Sequence, residues 1–273
     1  MTPVRRPSPA SVRWMILVAL LVLWELVPQT GLLPELFLPP LSKTLTVLWA
    51  DRVEYAANLV VTLYEVGIAM VIACGAGILI GALVGGVAML RNLMLPVFSS
   101  LYAVPIVILY PIFTAWFGIG SESKIAFAGL YGFFPVMLST AAGIRTIDPQ
   151  LLLAARSMGA TLTQQITRVI IPASIPTVLT GLRLGGALTI IGVVVSEMLT
   201  SAAGIGYLVT RYRTILDSPH VFGAIVMILL LSILFDTFAR MIERRTMVWQ
   251  TAGRKQREGE VAEVVTRAAP APV

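Results

Sequence analysis

Residues 148–172 read D-P-Q-L-L-L-A-A-R-S-M-G-A-T-L-T-Q-Q-I-T-R-V-I-I-P and lie between two apolar runs that are each long enough to cross a membrane. A helix needs about 20 apolar residues to span the hydrocarbon core of a bilayer. We name this stretch the polar island, because here a chain otherwise suited to lipid meets water. A loop without a partner is usually more polar and less structured, so the island predicts a contact with a partner that works in water.

Two short helices are predicted within the island. The first begins at Asp148, whose side chain can cap a helix, and Pro149, which has a helical φ and no amide to leave unsatisfied. It runs to about Met158. Gly159 breaks it, because glycine tolerates the positive φ of a tight turn.

The second helix of the island opens at Thr161, which forms the pattern of a capping box with Gln164. It is predicted to end near Ile170, where Pro172 stops the helix and redirects the chain into the next span. Apolar side chains on short helices favour recognition in a partner's groove. Those that the island offers are Leu152, Ala155, Met158, Leu162 and Ile166.

Composition places the whole chain in the membrane class. Of its 273 residues, 57% are apolar and 12% are charged, and the mean hydropathy is +0.88. Because backbone groups must pair internally in lipid, apolar runs this long predict helices. The net charge of +6 indicates membrane orientation rather than nucleic-acid binding, since the basic residues cluster at the ends of the apolar runs. A single cysteine, Cys74, excludes a disulfide or a cysteine metal site within the chain.

The apolar runs predict an all-α membrane protein with six transmembrane helices. The first run is slightly short for a span, and a signal peptide is the alternative. Glu25 interrupts the end of that run and no small-residue cleavage site follows, which favours an uncleaved first helix. The six spans are predicted within residues 12–27, 59–90, 93–117, 125–144, 177–200 and 221–238, with an interfacial helix at 41–50.

The chain divides into three predicted parts. Residues 1–58 hold an N-terminal tail, the first span and an extracytoplasmic loop. Residues 59–249 form a core of five helices. Residues 250–273, rich in Ala, Pro and charge, are expected to be a disordered cytoplasmic tail.

The Lys and Arg residues predict the orientation of the spans, since cytoplasmic loops carry an excess of positive charge. With both termini in the cytoplasm, fifteen of the 20 basic residues lie inside. The five that lie outside are Lys43, Arg52, Lys124, Arg211 and Arg213. The polar island is then a two-helix cytoplasmic loop between the fourth and fifth transmembrane helices.

Small residues predict where the spans pack. Gly77, Gly81 and Gly85 recur every four residues and so share one helix face, which lets another backbone approach closely. Gly181 and Gly185 do the same on the fifth span.

Charged and aromatic residues within the spans are candidates for a translocation pathway, because buried charges in membranes usually face a cavity or a partner. Glu197, toward the outer end of the fifth span, is the first candidate. Tyr110 and Trp116 belong to the third span, whose prolines predict a bend that could line a cavity. Asp236 is expected to pair with Arg240, four residues later.

A family resemblance becomes specific at the polar island. The island resembles the coupling loop of permease subunits in bacterial ATP-binding cassette importers. The matching pattern is Ala154-Ala155, three residues, Gly159, nine residues, Val169, one residue and Ile171-Pro172. That loop commonly reads E-A-A, three residues, G, nine residues, I, one residue, L-P. Leu153 stands here at the position of the Glu.

The resemblance covers roughly residues 55–249 and is closest to the nitrate, sulfonate and taurine branch of these importers. Its further marks are A-V-P-I-V-I-L-Y-P-I-F-T-A-W-F-G-I-G at 103–120, G-I-R-T-I-D-P at 143–149, L-T-G-L-R-L at 179–184 and S-E-M-L-T-S-A-A-G-I-G-Y-L at 196–208. These motifs are specific for the family and say little about the solute, which could be a small anion or a small heterocycle.

The resemblance implies a homodimer in the bacterial inner membrane, two copies of a cytoplasmic ATPase docked on the coupling loops, and an extracytoplasmic solute-binding protein. It also implies coupling contacts at Asp148, Leu153, Ala154, Ala155, Met158, Gly159 and Pro172. The chain has no G-x-x-x-x-G-K-[ST] phosphate loop, so ATP is expected to be handled by another subunit. No catalytic residue, cofactor or metal site is expected in the chain.

Two other function classes compete with an importer subunit. A secondary transporter or channel would use Glu197, Asp236 or Arg183 as ion sites, but it leaves the structured island unexplained. A membrane enzyme would need paired carboxylates, a His cluster or a Ser/His/Asp set, and none of these patterns is found.

Overall fold

The structure, a computed structural model, describes residues 8–31 and 33–246, and this part of the chain contains helices and no strand. The helices are α1 (Pro9–Gln29), α2 (Leu41–Ala50), α3 (Arg52–Gly86), α4 (Ala88–Ala103), α5 (Tyr110–Phe117), α6 (Ser121–Arg145), α7 (Pro149–Ser157), α8 (Leu162–Gln165), α9 (Ile171–Leu199), α10 (Ile205–Thr214) and α11 (Ser218–Thr246). The predicted disordered tail at 250–273 lies outside the described residues.

Five of the described helical segments are long and apolar enough to cross a membrane. They are Ser11–Gln29, Arg52–Gly86, Ser121–Arg145, Leu162–Leu199 and Ser218–Thr246. The prediction of an all-helical, multi-pass membrane protein is therefore confirmed, and the interfacial helix α2 has the predicted bounds. The helix that holds the second span begins earlier than predicted, because α3 starts at Arg52 and runs for 35 residues, about 52 Å.

The third span is not the single helix that the apolar run 93–117 suggested. Helix α4 and the segment Ile106–Phe117 meet at an angle of 85°, so a sixth span exists only if this bent pair is counted as one. The break lies at Pro105, which has no amide to continue the helix, and the preceding Val104 is extended with φ −71° and ψ 135°. A short 3-10 helix, Ile106–Leu109, then leads into α5. The prolines thus predicted the bend correctly, and the apolar run alone did not.

The first helix of the polar island follows the sequence prediction. Asp148 accepts a hydrogen bond from the Gln150 amide at 2.9 Å, with Pro149 at the first helical position. Helix α7 ends at Ser157, and Gly159 has a φ of +75°. Local capping chemistry therefore decides this part of the fold.

The second helix of the island begins as predicted and ends differently. The capping box at Thr161 and Gln164 is present, but Pro172 does not stop the helix, which continues from Leu162 to Leu199. A π-helical turn at Ile166–Ile170 is the physical reason. There the Ile171 amide donates to the Ile166 carbonyl, five residues back, and the wider turn leaves room for a proline ring that a regular α-turn would exclude.

The described chain forms two compact units. The first contains residues up to Ala69, Val107–Ala128 and Ile190–Leu231. Its apolar core is formed by Tyr55, Ile205, Leu208, Val209, Tyr212 and Ala224. The second contains Met70–Ile106, Gly129–Thr189 and residues from Ser232 onward.

Within the second unit, helices α3 and α9 both pack closely against α6. A Cβ on Gly81 would lie 2.6 Å from the Met137 carbonyl oxygen, and one on Gly85 would lie 2.9 Å from that of Ala141. On the other side, a Cβ on Gly185 would lie 2.7 Å from the Gly132 carbonyl oxygen. Gly77 and Gly181 are as tightly placed, against Val136 and Ser139 respectively.

Candidate functional site

The polar island presents exposed apolar side chains on two capped helices. Leu153 is 65% exposed, Met158 82% and Leu162 73%. Ala155, in contrast, is buried within the chain, and Leu152 is half-buried. These three side chains and Ile166, which is 41% exposed, are therefore available to a partner, while Ala155 supports the island from inside.

A side chain that the sequence prediction missed ties the two island helices together. Gln165 donates through Nε2 to the Ala160 carbonyl at 2.9 Å and accepts from Arg156 Nε at 3.3 Å. The Ala160 amide in turn donates to the Ala155 carbonyl at 3.0 Å. These bonds fix the angle between α7 and α8.

Beside these helices lies a cavity of about 570 Å³. It is lined by Thr146, Ile147, Asp148, Leu151, Ala154, Ala155, Met158, Arg168, Val169, Pro172 and Ala173. Three of the predicted contact residues, Asp148, Ala154 and Met158, border both this cavity and solvent. The island thus combines a fixed shape with an accessible apolar surface.

A buried hydrogen-bond network surrounds Glu197 in the first unit. Thr62 Oγ1 donates to Glu197 Oε1 at 2.7 Å, and the Gly206 amide donates to Glu197 Oε2 at 2.8 Å. Thr62 Oγ1 also accepts from the Ile205 amide at 2.9 Å. Through its two carboxylate oxygens, Glu197 near the end of α9 is hydrogen-bonded to α3 and to the start of α10.

Asn58 extends this network by one helical turn. Its Oδ1 accepts a hydrogen bond from the Gly204 amide at 2.8 Å. Gly204 has a φ of +109°, a conformation that favours glycine, and a Cβ there would collide with the Glu197 carboxylate. The motif around 196–208 therefore forms a tight connection whose amides are bound by side chains of α3.

A buried ion pair lies on the same face of α3. Lys124 Nζ is 2.7 Å from Glu65 Oε1 and 2.9 Å from Ser201 Oγ. The Lys124 side chain is 5% exposed and that of Glu65 is not exposed. Helix α6 is thus joined through its first turn to α3 and to the connection after α9.

The family of the chain follows from a family model described as "Binding-protein-dependent transport system inner membrane component", which matches residues 75–248, well over half of the sequence. The chain belongs to this family. It is a permease subunit of a binding-protein-dependent ABC importer, a multi-pass membrane protein, and ATP is hydrolysed by a separate subunit. Permeases of this family work with an ATPase and a solute-binding protein.

Several named transport permeases are similar to this permease along most of their length. A Bacillus subtilis protein named as an aliphatic sulfonates transport permease, SsuC, is 29% identical over 91% of this chain and 92% of its own. The taurine transport system permease TauC of Escherichia coli is 31% identical over 85% and 87%. The formylaminopyrimidine transport permease ThiX of Halalkalibacterium halodurans is 30% identical over 85% and 92%.

The fold is also found in a solved transporter. The MetNI methionine ABC transporter, in inward-facing conformations, matches with a TM-score of 0.59 and 18% identity, over 74% of this permease and 98% of that chain. At this identity the likeness concerns the fold alone.

The structure separates the three residues predicted for a pathway. Glu197 borders a cavity of about 570 Å³ whose lining also includes Ser201, Tyr207 and Arg211. Tyr110 is buried beside it, and its hydroxyl donates to the Thr200 carbonyl at 3.4 Å. Trp116 is 73% exposed and lines no part of this cavity.

Two of the three charges on which a secondary transporter or channel would depend, Arg183 and Asp236, are paired with each other. Arg183 Nε donates to Asp236 Oδ1 at 2.7 Å, and Arg240 Nε donates to Asp236 Oδ2 at the same distance. The predicted Asp236–Arg240 pair is therefore confirmed. Together with the family, this pairing favours the importer permease over a transporter with its own ion site.

Helix α10 carries a further charged contact in the first unit. Glu54 Oε1 is 2.5 Å from Arg211 Nη1, and the Tyr212 hydroxyl donates to Glu54 Oε2 at 2.5 Å. Burial, followed by the hydrogen bond with Glu54, raises the pKa of Tyr212. The charge of Glu54 raises the pKa of Arg211.

Proposed function

We propose that this permease, as two identical copies, imports a small sulfonate-like anion, driven by two copies of an ATPase that dock on the polar islands. Relatives named for aliphatic sulfonates and for taurine support this solute class. The relative named for formylaminopyrimidine supports a small heterocycle as the second candidate. Competition of labelled taurine uptake by an alkanesulfonate and by a pyrimidine, in cells that carry the complete importer, separates the two.

The orientation that we propose places both termini and the island in the cytoplasm, with the solute-binding protein on the other side. The distribution of Lys and Arg supports it, since the side that holds the island carries fifteen of the 20 basic residues. In this orientation Arg211 and the cavity beside Glu197 face the side from which solute arrives.

The single observation that carries the docking proposal is the exposed apolar surface of the island. Leu153 and Met158 are exposed on helices whose angle is fixed by capping and by Gln165. A rigid apolar surface loses little conformational entropy on binding, so it is suited to docking. With Leu153 in place of the usual Glu, the contact depends on apolar burial rather than on an ion pair at that position.

The transport step that we propose is alternating access. ATP binding closes the ATPase dimer and moves the islands, and the spans then change from inward-open to outward-open. ATP drives this change only by favouring one permease conformation over the other. Glu197 would act next to the pathway by holding the connection between α9 and α10, with Tyr110 and Trp116 as further pathway candidates.

Substitution of Met158 tests the docking surface. Met158→Asp places a charge on the island, and we expect at least a tenfold loss of ATPase binding, roughly 1.4 kcal/mol or more. Met158→Leu is the matched control, because it keeps the volume and the apolar character. The measurement is co-purification of the ATPase from detergent together with solute uptake in cells. Normal co-purification of Met158→Asp would contradict docking at this surface.

A further inference from the structure

A third cavity, of about 620 Å³, lies in the second unit at the junction of α3, α4 and α6. It is lined by Arg91, Asn92, Leu95, Pro96 and Arg145. Two guanidinium groups and one amide therefore face a single cavity whose lining contains no carboxylate. Such a set of donors suits an anion.

Backbone packing is what brings the two arginines together. A Cβ on Gly85 would lie 2.9 Å from the Ala141 carbonyl oxygen and 3.2 Å from Ile144 Cβ, so α3 ends directly against the last turns of α6. Arg145 follows Ile144, and Arg91 Nη1 donates to the Gly85 carbonyl at 3.2 Å. Arg91 is thus held at this junction by a hydrogen bond, and Arg145 lies at it because it follows Ile144.

Neither arginine lies within ion-pair distance of a carboxylate among the described residues. This differs from Arg183, Arg211 and Arg240, which each pair with Asp or Glu. Asp148, close in sequence to Arg145, uses its carboxylate to cap α7. One carbonyl bond leaves most of the five N–H donors of Arg91 unused.

The cavity lies at the end of a helix long and apolar enough to span the membrane, because Arg145 is the last residue of α6. A cavity with two arginines and no carboxylate, at the end of a helix that can span a membrane, lies where the headgroup of an anionic lipid would be.

We propose that Arg91, Asn92 and Arg145 bind the phosphodiester of an anionic phospholipid headgroup. Clusters of basic residues at a membrane surface attract anionic lipids. The cavity is three residues from the start of the polar island, so the lipid would stabilise the base of that island. Only the choice of the cytoplasmic leaflet rests on the proposed orientation.

The test uses the purified permease–ATPase complex in detergent with added dioleoyl-phosphatidylglycerol, and dioleoyl-phosphatidylcholine as the neutral lipid. Native mass spectrometry counts retained lipid, and thermal unfolding measures stabilisation. We expect Arg91→Gln/Arg145→Gln to weaken phosphatidylglycerol binding at least tenfold. The control Arg13→Gln/Arg213→Gln removes the same charge from exposed positions elsewhere and should bind like the wild type.

A single variant guards against a folding defect. Arg145 is exposed, so Arg145→Gln should fold normally and still lose several-fold in lipid binding. Equal retention of phosphatidylglycerol by the double variant and its control would overturn the proposal. So would an equal thermal shift with inorganic phosphate or with taurine, which would assign the cavity to a soluble anion.

The lipid proposal can fail without the docking proposal, and the docking proposal can fail without the lipid proposal. Lipid retention is read from the permease mass and needs neither uptake nor ATP hydrolysis. Met158→Asp should lose the ATPase and still bind phosphatidylglycerol, because Met158 does not line the arginine cavity.

Discussion

Removing Lys124 should destabilise this permease more than almost any other change of one charge, because it leaves Glu65 buried without a counter-ion. The Glu65 side chain has no exposed surface, and its Oε1 lies 2.7 Å from Lys124 Nζ. Its second oxygen, Oε2, is buried without a hydrogen-bond partner among the described residues. Among the described residues Lys124 is the only charge partner of this carboxylate, so Lys124→Met leaves a charge that water cannot reach without compensation.

The magnitude follows from the cost of an uncompensated buried charge. Breaking a buried pair by removing one partner costs about 3–5 kcal/mol, whereas replacing both by apolar residues of similar volume is often neutral or stabilising. At about 2–4 °C per kcal/mol for a chain of roughly this size, Lys124→Met should lower the Tm by about 6–20 °C. The double variant Glu65→Leu/Lys124→Met should recover most of that loss.

The assay is thermal unfolding of the assembled importer in detergent micelles, with wild type, both single variants and the double variant forming a cycle. Lys43→Met is the matched control. Its ion pair with Glu35 is as short, at 2.5 Å, but both side chains are more than half exposed. That control should cost about 0–1 kcal/mol. The prediction is wrong if the double variant is no more stable than Lys124→Met, or if Lys124→Met lowers the Tm no more than Lys43→Met does.

Three further substitutions test the helix seam, the island and the buried network. Gly81→Val should prevent α3 from packing on α6 and lower the yield of folded protein by size-exclusion chromatography, whereas Gly75→Val, with no atom within 4 Å, should be tolerated. Gly159→Ala should cost about 1–2 kcal/mol in thermal unfolding because of its positive φ, and Gly159→Asn should cost less. Glu197→Gln replaces one of two acceptor oxygens with a donor, so about 1–3 kcal/mol of stability should be lost in the same assay; an unchanged Tm would argue against the network.

Local signals in the sequence predicted the features that depend on neighbouring residues. Capping at Asp148 and Thr161 and the turn at Gly159 follow from interactions within a few residues, and hydropathy located five of the six predicted spans as long apolar helices. Pro172 shows the limit of such signals. Proline usually ends a helix, but the π-helical turn before it shifts the hydrogen bonds, and nothing in the local sequence announces that turn.

The buried network was only partly predictable. Glu197 stood out because a carboxylate within an apolar span is unusual. Asn58, Thr62 and Glu65 gave a weaker signal, although their spacing of four and three residues places them on one face of α3. Their partners are more than 50 residues away in sequence, and spacing along one helix says nothing about what that face meets.

A reader of the sequence could infer a helical membrane protein of the importer-permease family, the positions of most of its long helices and the capping of the polar island. These properties depend on hydropathy, on motifs and on hydrogen bonds between near neighbours. The packing of the helices was needed to show that Glu197 binds Thr62 and Gly206, that Lys124 neutralises Glu65 and that Arg91 and Arg145 share a cavity. Those contacts join distant segments, and their energies depend on burial that exists only once the helices have packed.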